Sequence, residues 1–184
     1  MKLNLTSLKT TVLLTAFTLL TAFAAQGQDK IKTIGNKPRT GSSNATFAVA
    51  KGQQIGVKMN AGNKPVQLLN LNFGSQNDNR DSLGFKVNVY DFSSNTPGDN
   101  LVKQDIIGYI PHGNNRINVD LAPYNIRAKG AILVAIEWLT THKGSEPHFF
   151  IGLFNGGTYR NEGAEWKKMA VAGVDFNIQV KQLQ

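Results

Sequence analysis

FKVNVYD, residues 85–91, alternates apolar and polar side chains without a break. Phe85, Val87 and Val89 point one way; Lys86, Asn88 and Tyr90 point the other. A period of two is that of a strand with one buried and one wet face. RINVDL (116–121) sets Ile117, Val119 and Leu121 against Arg116, Asn118 and Asp120, and VDFNIQV (174–180) sets Val174, Phe176, Ile178 and Val180 against Asp175, Asn177 and Gln179. LLNLNF (68–73) places Leu69, Leu71 and Phe73 on one side. AILVAIEWL (131–139) is apolar on both faces until Glu137, the pattern of a central strand covered on both sides.

Turn-rich stretches separate these runs: GNKPRTGSSN (35–44), NAGNKP (60–65), GSQNDNRD (74–81), SSNTPGDN (93–100), PHGNN (111–115), THKGSEP (141–147) and NGGTYRNEGAE (155–165). About ten strands are predicted, at 30–34, 45–50, 53–59, 66–73, 84–91, 101–109, 116–121, 131–139, 148–154 and 174–182. No window of helical length carries an apolar stripe. The expected fold is all-β, an antiparallel β-sandwich, jelly-roll-like. The rival all-β architecture is a membrane barrel, which needs an outward apolar band and a polar lumen. Each clean strand here has a single apolar face, which suits a sandwich core.

The N-terminus reads as a secretory signal peptide over 1–27. Lys2 and Lys9 precede the uncharged TVLLTAFTLLTAFAA, and small residues follow. Cleavage is expected after Ala24 or after Gly27. The apolar run is shorter than the roughly 20 residues of a spanning helix, so no membrane span is expected once the signal is removed. The remaining chain divides into an N-terminal strand and loose arm (28–44) and one β-sandwich domain (45–184). Export to the periplasm, the medium or the cell surface follows from the signal. The chain has no cysteine, which excludes disulfides and thiolate chemistry.

The formal charge of +8 falls to about +6 when Lys2 and Lys9 leave with the signal. The basic residues are scattered, with Lys30/Lys32, Lys37/Arg39 and Lys167/Lys168 as the tightest groups. A nucleic-acid interface concentrates charge on one face with aromatics between, so no nucleic-acid partner is expected.

The middle of the chain is similar to a known domain. FKVNVYDFSSNTPGDNLVKQDI, then INVDLAPYNI, then ILVAIEWL together resemble a β-sandwich domain of secreted bacterial proteins that often follows a carboxypeptidase-regulatory-like module. The likeness covers 85–139 and rests on the order and spacing of its pieces. No separate regulatory module fits upstream, since 28–65 read as the first strands of the same sandwich. The resemblance implies an exported β-sandwich and carries over no catalytic residue.

Chemistry-bearing residues are few. In YDFSSNTPGDN (90–100), Pro97-Gly98 suits the centre of a type II turn, and Asp91, Asn95, Asp99 and Asn100 suit local side-chain-to-backbone bonds. The loop reads first as a connection. If it met SQNDNRD (75–81) at one end of the sandwich, Asp78, Asp81, Asp91 and Asp99 could hold calcium, the alternative to a purely connecting loop. No other cofactor is expected. His112, His142 and His148 lack metal-ligand spacing, and no serine sits in a nucleophile elbow. Glu137, on an otherwise apolar strand, needs a partner such as Arg127 or Arg116, or emergence at the strand end. Tyr124 in APYNIRAKG (122–130) reads as the anchor of a corner. GGTYRNEGAEW (156–166) supplies Tyr159, Arg160, Asn161 and Trp166, the ligand-binding candidates, because rings in exposed loops can stack on sugars.

The expected function is therefore a non-catalytic binding or accessory module of the cell envelope. Its partner would be a polysaccharide, with another envelope protein as the structural alternative. A glycan-active hydrolase is the least favoured reading, since no acid pair or nucleophile arrangement stands out.

Overall fold

Two-sided burial of one strand organises the architecture. The computed structural model describes residues 30–93, 96–163 and 165–183. The signal peptide expected at 1–27, with both cleavage sites, lies outside them, as does Asn95. The twelve strands are β1 (Ile31–Gly35), β2 (Asn44–Thr46), β3 (Gln54–Asn77), β4 (Leu83–Asp91), β5 (Ile107–Ile110), β6 (Gly113–Asp120), β7 (Arg127–Trp138), β8 (His148–Leu153), β9 (Thr158–Asn161), β10 (Trp166–Met169), β11 (Ala172–Val174) and β12 (Asn177–Gln182). Every pairing is antiparallel. Among the described residues no helix is long and apolar enough to cross a membrane.

The spine is β3. At about 3.3 Å per residue, its 24 residues would run about 80 Å if straight, twice the width of a domain this size. It therefore bends. Its first half pairs with β7 and β9; its second half pairs with β12 and β6 and reaches β8. Along one edge of β3, β6 and β7 run end to end, joined by a 3-10 turn at Ala122–Tyr124. Asn125 follows in the left-handed conformation and half-buried Tyr124 packs on the core, which is the corner expected there. The folded ribbon makes the two layers of a β-sandwich. One layer holds β10, β9, the first half of β3, β7, β4 and β5; the other holds β1, β12, the second half of β3 and β6.

The core lies between the layers. Phe73 of β3 contacts Phe85 of β4 at 5.7 Å between ring centroids and Phe176 at 4.7 Å, and Phe149 of β8 contacts Trp138 of β7 at 6.2 Å. The interior is thus apolar, the reverse of a polar membrane-barrel lumen. Close approach at Gly74 makes room for Phe150, whose ring occupies the place a Cβ would take.

Several sequence expectations change. The turn at 60–65 is an irregularity inside β3, with shifts in register between Asn60 and Val66. Leu69 does not face the core. A bulge at Gln179/Val180 puts Val180 opposite Leu68 and Gln179 opposite Asn70, so Leu68 is buried in place of Leu69 and the alternation restarts at Leu71. Strands β9, β10 and β11 arise from segments read as loop or left unassigned, because hairpin pairing overrides their turn-like composition. Residues 101–106 are not a strand; β5 begins at Ile107.

The stretch read as a loose arm is fastened. Asn36 Nδ2 donates to the carbonyl of Val174 at 2.7 Å, and the Arg39 N–H donates to Asp175 Oδ2 at 2.8 Å. Asp175, expected on a wet face, is 0% exposed. Its Oδ1 also accepts the Gly74 N–H at 2.8 Å, and its Oδ2 accepts Arg116 Nη1 at 2.6 Å. Arg116 continues to the carbonyl of Arg39. A buried carboxylate is tolerated only when its lone pairs are filled in this way.

Asp175→Ala would leave the Arg116 charge and two backbone N–H groups unmatched. Denaturant unfolding should show a loss of about 3–5 kcal/mol. Asp105→Ala, whose side chain is exposed and only 3.9 Å from Lys86, should stay within about 0.5 kcal/mol of the parent.

Candidate functional site

Register places all five rows that follow on the outer faces of the two layers. On the first layer, Trp166, Asn161, Gln54, Glu137 and Lys86 stand in one cross-strand row, and Lys168, Tyr159, Gly56, Ala135 and Asn88 in the next. Lys58, Leu133 and Tyr90 make a third. Gly56 and Ala135 form a low floor; a Cβ on Gly56 would lie 2.9 Å from the Ala135 methyl. The rings close over that floor. Trp166 meets Tyr90 edge-on at 5.8 Å and Tyr159 meets Phe92 at 5.3 Å. Lys58 lies over Phe92 at 4.7 Å and Lys168 over Tyr159 at 5.7 Å. Leu133 and Phe92 are buried beneath them, which accounts for the two-sided apolar character of β7.

Three of the four ligand-binding candidates, Tyr159, Asn161 and Trp166, thus share a face, and both rings are occupied by packing. Arg160 is separate. Alternation on β9 turns it to the opposite face, where it pairs with Glu162 at 3.3 Å and lines a small cleft with Phe47 and Ile55. Glu137 takes neither arginine as partner. It accepts Asn88 Nδ2 at 2.7 Å and faces Lys86 Nζ at 3.5 Å, both from the neighbouring strand β4.

The four aspartates do not meet. Asp81 precedes β4 and Asp91 ends it, and a nine-residue strand holds them about 30 Å apart. Asp78 lies beside His148 at 3.7 Å, at the Asp81 end. At the other end, Asp91 and Asp99 fold on each other by backbone bonds, with the Asp91 N–H donating to the Asp99 carbonyl and the Gly98 N–H to the Asp91 carbonyl. Gly98 does not adopt positive φ, so the type II turn is not formed. One calcium ion cannot bridge these loops. Among the described residues no three His, Asp or Glu side chains are grouped to hold a metal. The histidines serve the loops: His112 Nδ1 bonds the Asn79 carbonyl at 3.0 Å and His148 Nδ1 lies 3.3 Å from Asn44 Oδ1.

On the second layer an open groove of about 630 Å³ crosses β1, β12, β3 and β6. One row runs Thr33, Gln179, Asn70, Asp120, the next Gly35, Asn177, Asn72, Asn118. The segment Asn36–Pro38 walls one end and brings Lys37. Asn72 Nδ2 donates to Asn118 Oδ1 at 2.6 Å, and Arg116 Nη1 lies 3.4 Å from Asn72 Oδ1, so these amides are held in place by the Asp175 cluster. Asn177, 5% exposed, donates to the Asp175 carbonyl at 3.0 Å. Among the described residues the side-chain amides of Asn70 and Gln179 have no hydrogen-bond partner. The floor thus presents paired donors and acceptors, fixed at its centre and free at its flank. Sequence reading passed over it because each of these residues looks like ordinary wet-face polarity. The available signal was chemical: three strands, β3, β6 and β12, carry amides, not lysine and glutamate, at their outward positions in these rows.

Burial pushes the Tyr90 phenol above its ordinary value; Gln54, whose amide can turn its NH2 toward a phenolate, offsets part of this, and the Glu137 charge adds to it. A raised folded-state value contributes stability that is complete below the ordinary phenol range near pH ~10 and is lost as pH rises through the folded value. Phenolate absorbance should show one of the four tyrosines ionising last. Tyr90→Phe should remove that late step and, by losing the bond to Gln54 at 2.9 Å, lower stability by about 1 kcal/mol.

No protein-family model matches the chain, and no curated protein matches it. Its fold is similar to solved structures of Cwp84. One contains the cysteine protease and lectin-like domains of this surface layer associated protein of Clostridium difficile, at TM-score 0.56 and 12% identity over 83% of this chain and 36% of that one. Another is the clostridial cysteine protease Cwp84 after propeptide cleavage, at TM-score 0.54 and 13% identity over 83% of this chain and 40% of that one. A CBM35 from Cellvibrio japonicus Abf62 aligns with 78% of this chain and 94% of its own at 13% identity, and its TM-score of 0.42 carries no argument. The chain spans little more than a third of the Cwp84 structures, and at these identities the likeness is one of fold: an antiparallel β-sandwich.

Proposed function

We propose that the protein is an exported, non-catalytic glycan-binding module of the cell envelope, and that its site is the amide-lined groove of the β1–β12–β3–β6 layer. The observation that carries this reading is the open row of amides. A carboxamide offers an acceptor and two donors in one plane, which suits adjacent hydroxyls on a sugar ring. Asn72, Asn118 and Asn177 are oriented by protein partners, while Asn70 and Gln179 leave their capacity for a ligand. Preorganised donors lower the ordering cost of binding. A structure of similar fold is described as including a lectin-like domain, which agrees with this reading. Non-catalytic action is supported by the acids: Glu137 is engaged by Lys86 and Asn88, and Asp120 on β6, in line with Asn70, accepts the Ala122 N–H at 3.0 Å.

A second reading has its own observation. On β5, at the edge of the first layer, Ile107 and Tyr109 are exposed beside unpaired backbone. Such an edge suits docking with another protein by strand addition.

The test is an array of neutral and acidic polysaccharides probed with residues 28–184, with calcium and with chelator. A binding glycan should lose affinity at least about tenfold with Asn70→Ala/Gln179→Ala, since each amide bond contributes about 0.5–1.5 kcal/mol. Trp166→Ala should bind as the parent does. Loss with Trp166→Ala and none with the amide pair would move the site to the aromatic face. Silence across the array would defeat the glycan reading and favour the β5 edge.

A further inference from the structure

At one end of the molecule β8 leaves the sheet and turns toward β9 through Leu153–Gly157. The side chains in this turn point the wrong way for water. Phe154 is 84% exposed and Leu153 58%, and Val171, on the adjoining turn between β10 and β11, is 55% exposed. Asn155, the polar member, is turned inward. Its amide sits between Gly152 and Gly173, where either glycine's Cβ would collide with it, and its Oδ1 is buried without a partner. Solvent alone would favour the opposite arrangement, amide out and ring in. The backbone supports the inversion at a cost. Phe154 has φ +55°, a left-handed conformation that a bulky residue seldom adopts, and its N–H is tied to the Val171 carbonyl at 2.8 Å.

Beside this apolar tip lies a polar recess. A groove of about 460 Å³ runs between the 38–43 segment and the end of β8, lined by Arg39, Thr40, Ser42, Ser43 and Leu153. The Arg39 guanidinium lies over Gly152, 2.6 Å from where a Cβ would stand. On the other flank Lys168 reaches over Gly157. Among the described residues neither Arg39 nor Lys168 forms an ion pair, and the acids Glu162 and Glu165 sit at the opposite end of the β9–β10 hairpin. Three apolar side chains therefore project at one tip, with cations on both sides and hydroxyls next to one of them.

We propose that this tip is a docking surface for an anionic phospholipid membrane. Phe154, Leu153 and Val171 enter the interfacial region, while Arg39, with the hydroxyls of Thr40, Ser42 and Ser43, takes a phosphate headgroup. Lys168 adds long-range attraction. Shallow apolar insertion combined with headgroup charge is the two-signal arrangement by which peripheral proteins hold a bilayer. The charge is matched by the basic balance of the whole chain. This surface adjoins the amide groove at Pro38 but uses none of its amides, so its failure and that of the glycan reading are distinguished by different variants.

The experiment is co-sedimentation of residues 28–184 with vesicles. This span contains all of the compact unit Ile31–Gln184 and its core, and it omits the N-terminal apolar run that would bind lipid by itself. Vesicles are phosphatidylcholine alone or an equal mixture with phosphatidylglycerol. The parent should bind the mixed vesicles and bind pure phosphatidylcholine much less. Leu153→Ser/Phe154→Ser should cut partitioning onto mixed vesicles at least about tenfold. Arg39→Gln should reduce it about fivefold. Val171→Ser, which leaves the Phe154 turn intact, should act in the same direction, and each variant should unfold at the parent's temperature. Excess inorganic phosphate should leave most of the parent bound. Failure of the parent to bind mixed vesicles overturns the proposal, as does unchanged binding by the double variant or full displacement by phosphate. Self-association of the parent that the double variant abolishes, with no lipid binding, would reassign the tip to protein contact.

Discussion

Asp175 is the point to which the rest of the structure is tied. Its two oxygens draw together the β11–β12 junction, the last stretch of β3 at Gly74, the N-terminal segment at Arg39 and β6 through Arg116. A bare carboxylate at that depth would be intolerable, and a bare guanidinium beside it nearly so. Each makes the other permissible, and both demand that four distant stretches of chain arrive in register. The interaction is therefore a constraint on specificity more than a source of net stability. The same cluster also orients Asn72 and Asn177, which places it directly beneath the groove floor. Fold and site share one polar foundation.

The two layers have been given different outer faces by the same β alternation. On the first, small floor residues Gly56 and Ala135 allow rings from β4 and β10 to meet across the sheet, and the face closes over Leu133. On the second, amides stand at the corresponding outward positions and, apart from the buried Asn177, stay in reach of solvent. Aromatic groups close a face because apolar area is removed from water when they meet. Amides leave a face open because water satisfies them nearly as well as a neighbour does. This difference explains why the conspicuous rings at 159 and 166 became packing and the inconspicuous amides became the candidate site.

Much of the fold was legible. The alternation in 85–91 and 116–121 locates β4 and β6 and identifies their core residues. The doubly apolar 131–139 reports cover on both faces. The corner at Tyr124 was readable from Pro123 and Gly130. The bulge at Leu69 was not, because one extra residue in a ladder leaves no compositional trace yet reverses which leucine is buried. Nor were β9 and β10, whose glycine-rich flanks look like loop. The site was less legible still. Asp78, Asp81, Asp91 and Asp99 are close in sequence, yet β4 holds them at opposite ends of a layer. Thr33, Asn70, Asn118 and Gln179 are far apart in sequence, yet pairing sets them in neighbouring rows.

By itself the sequence determined the local terms: strand periodicity, the absence of thiol chemistry, the all-β class, and which side chains would seek the interior. These follow from the period of a strand and the free energy of apolar burial, both of which act along the chain. Tertiary structure alone decided which strands became neighbours, that Asp175 would be buried and matched, and that Asn155 would turn inward while Phe154 turned out. Those outcomes depend on register and on the partners present at a given depth, and both are properties of segments that meet only after the chain has folded.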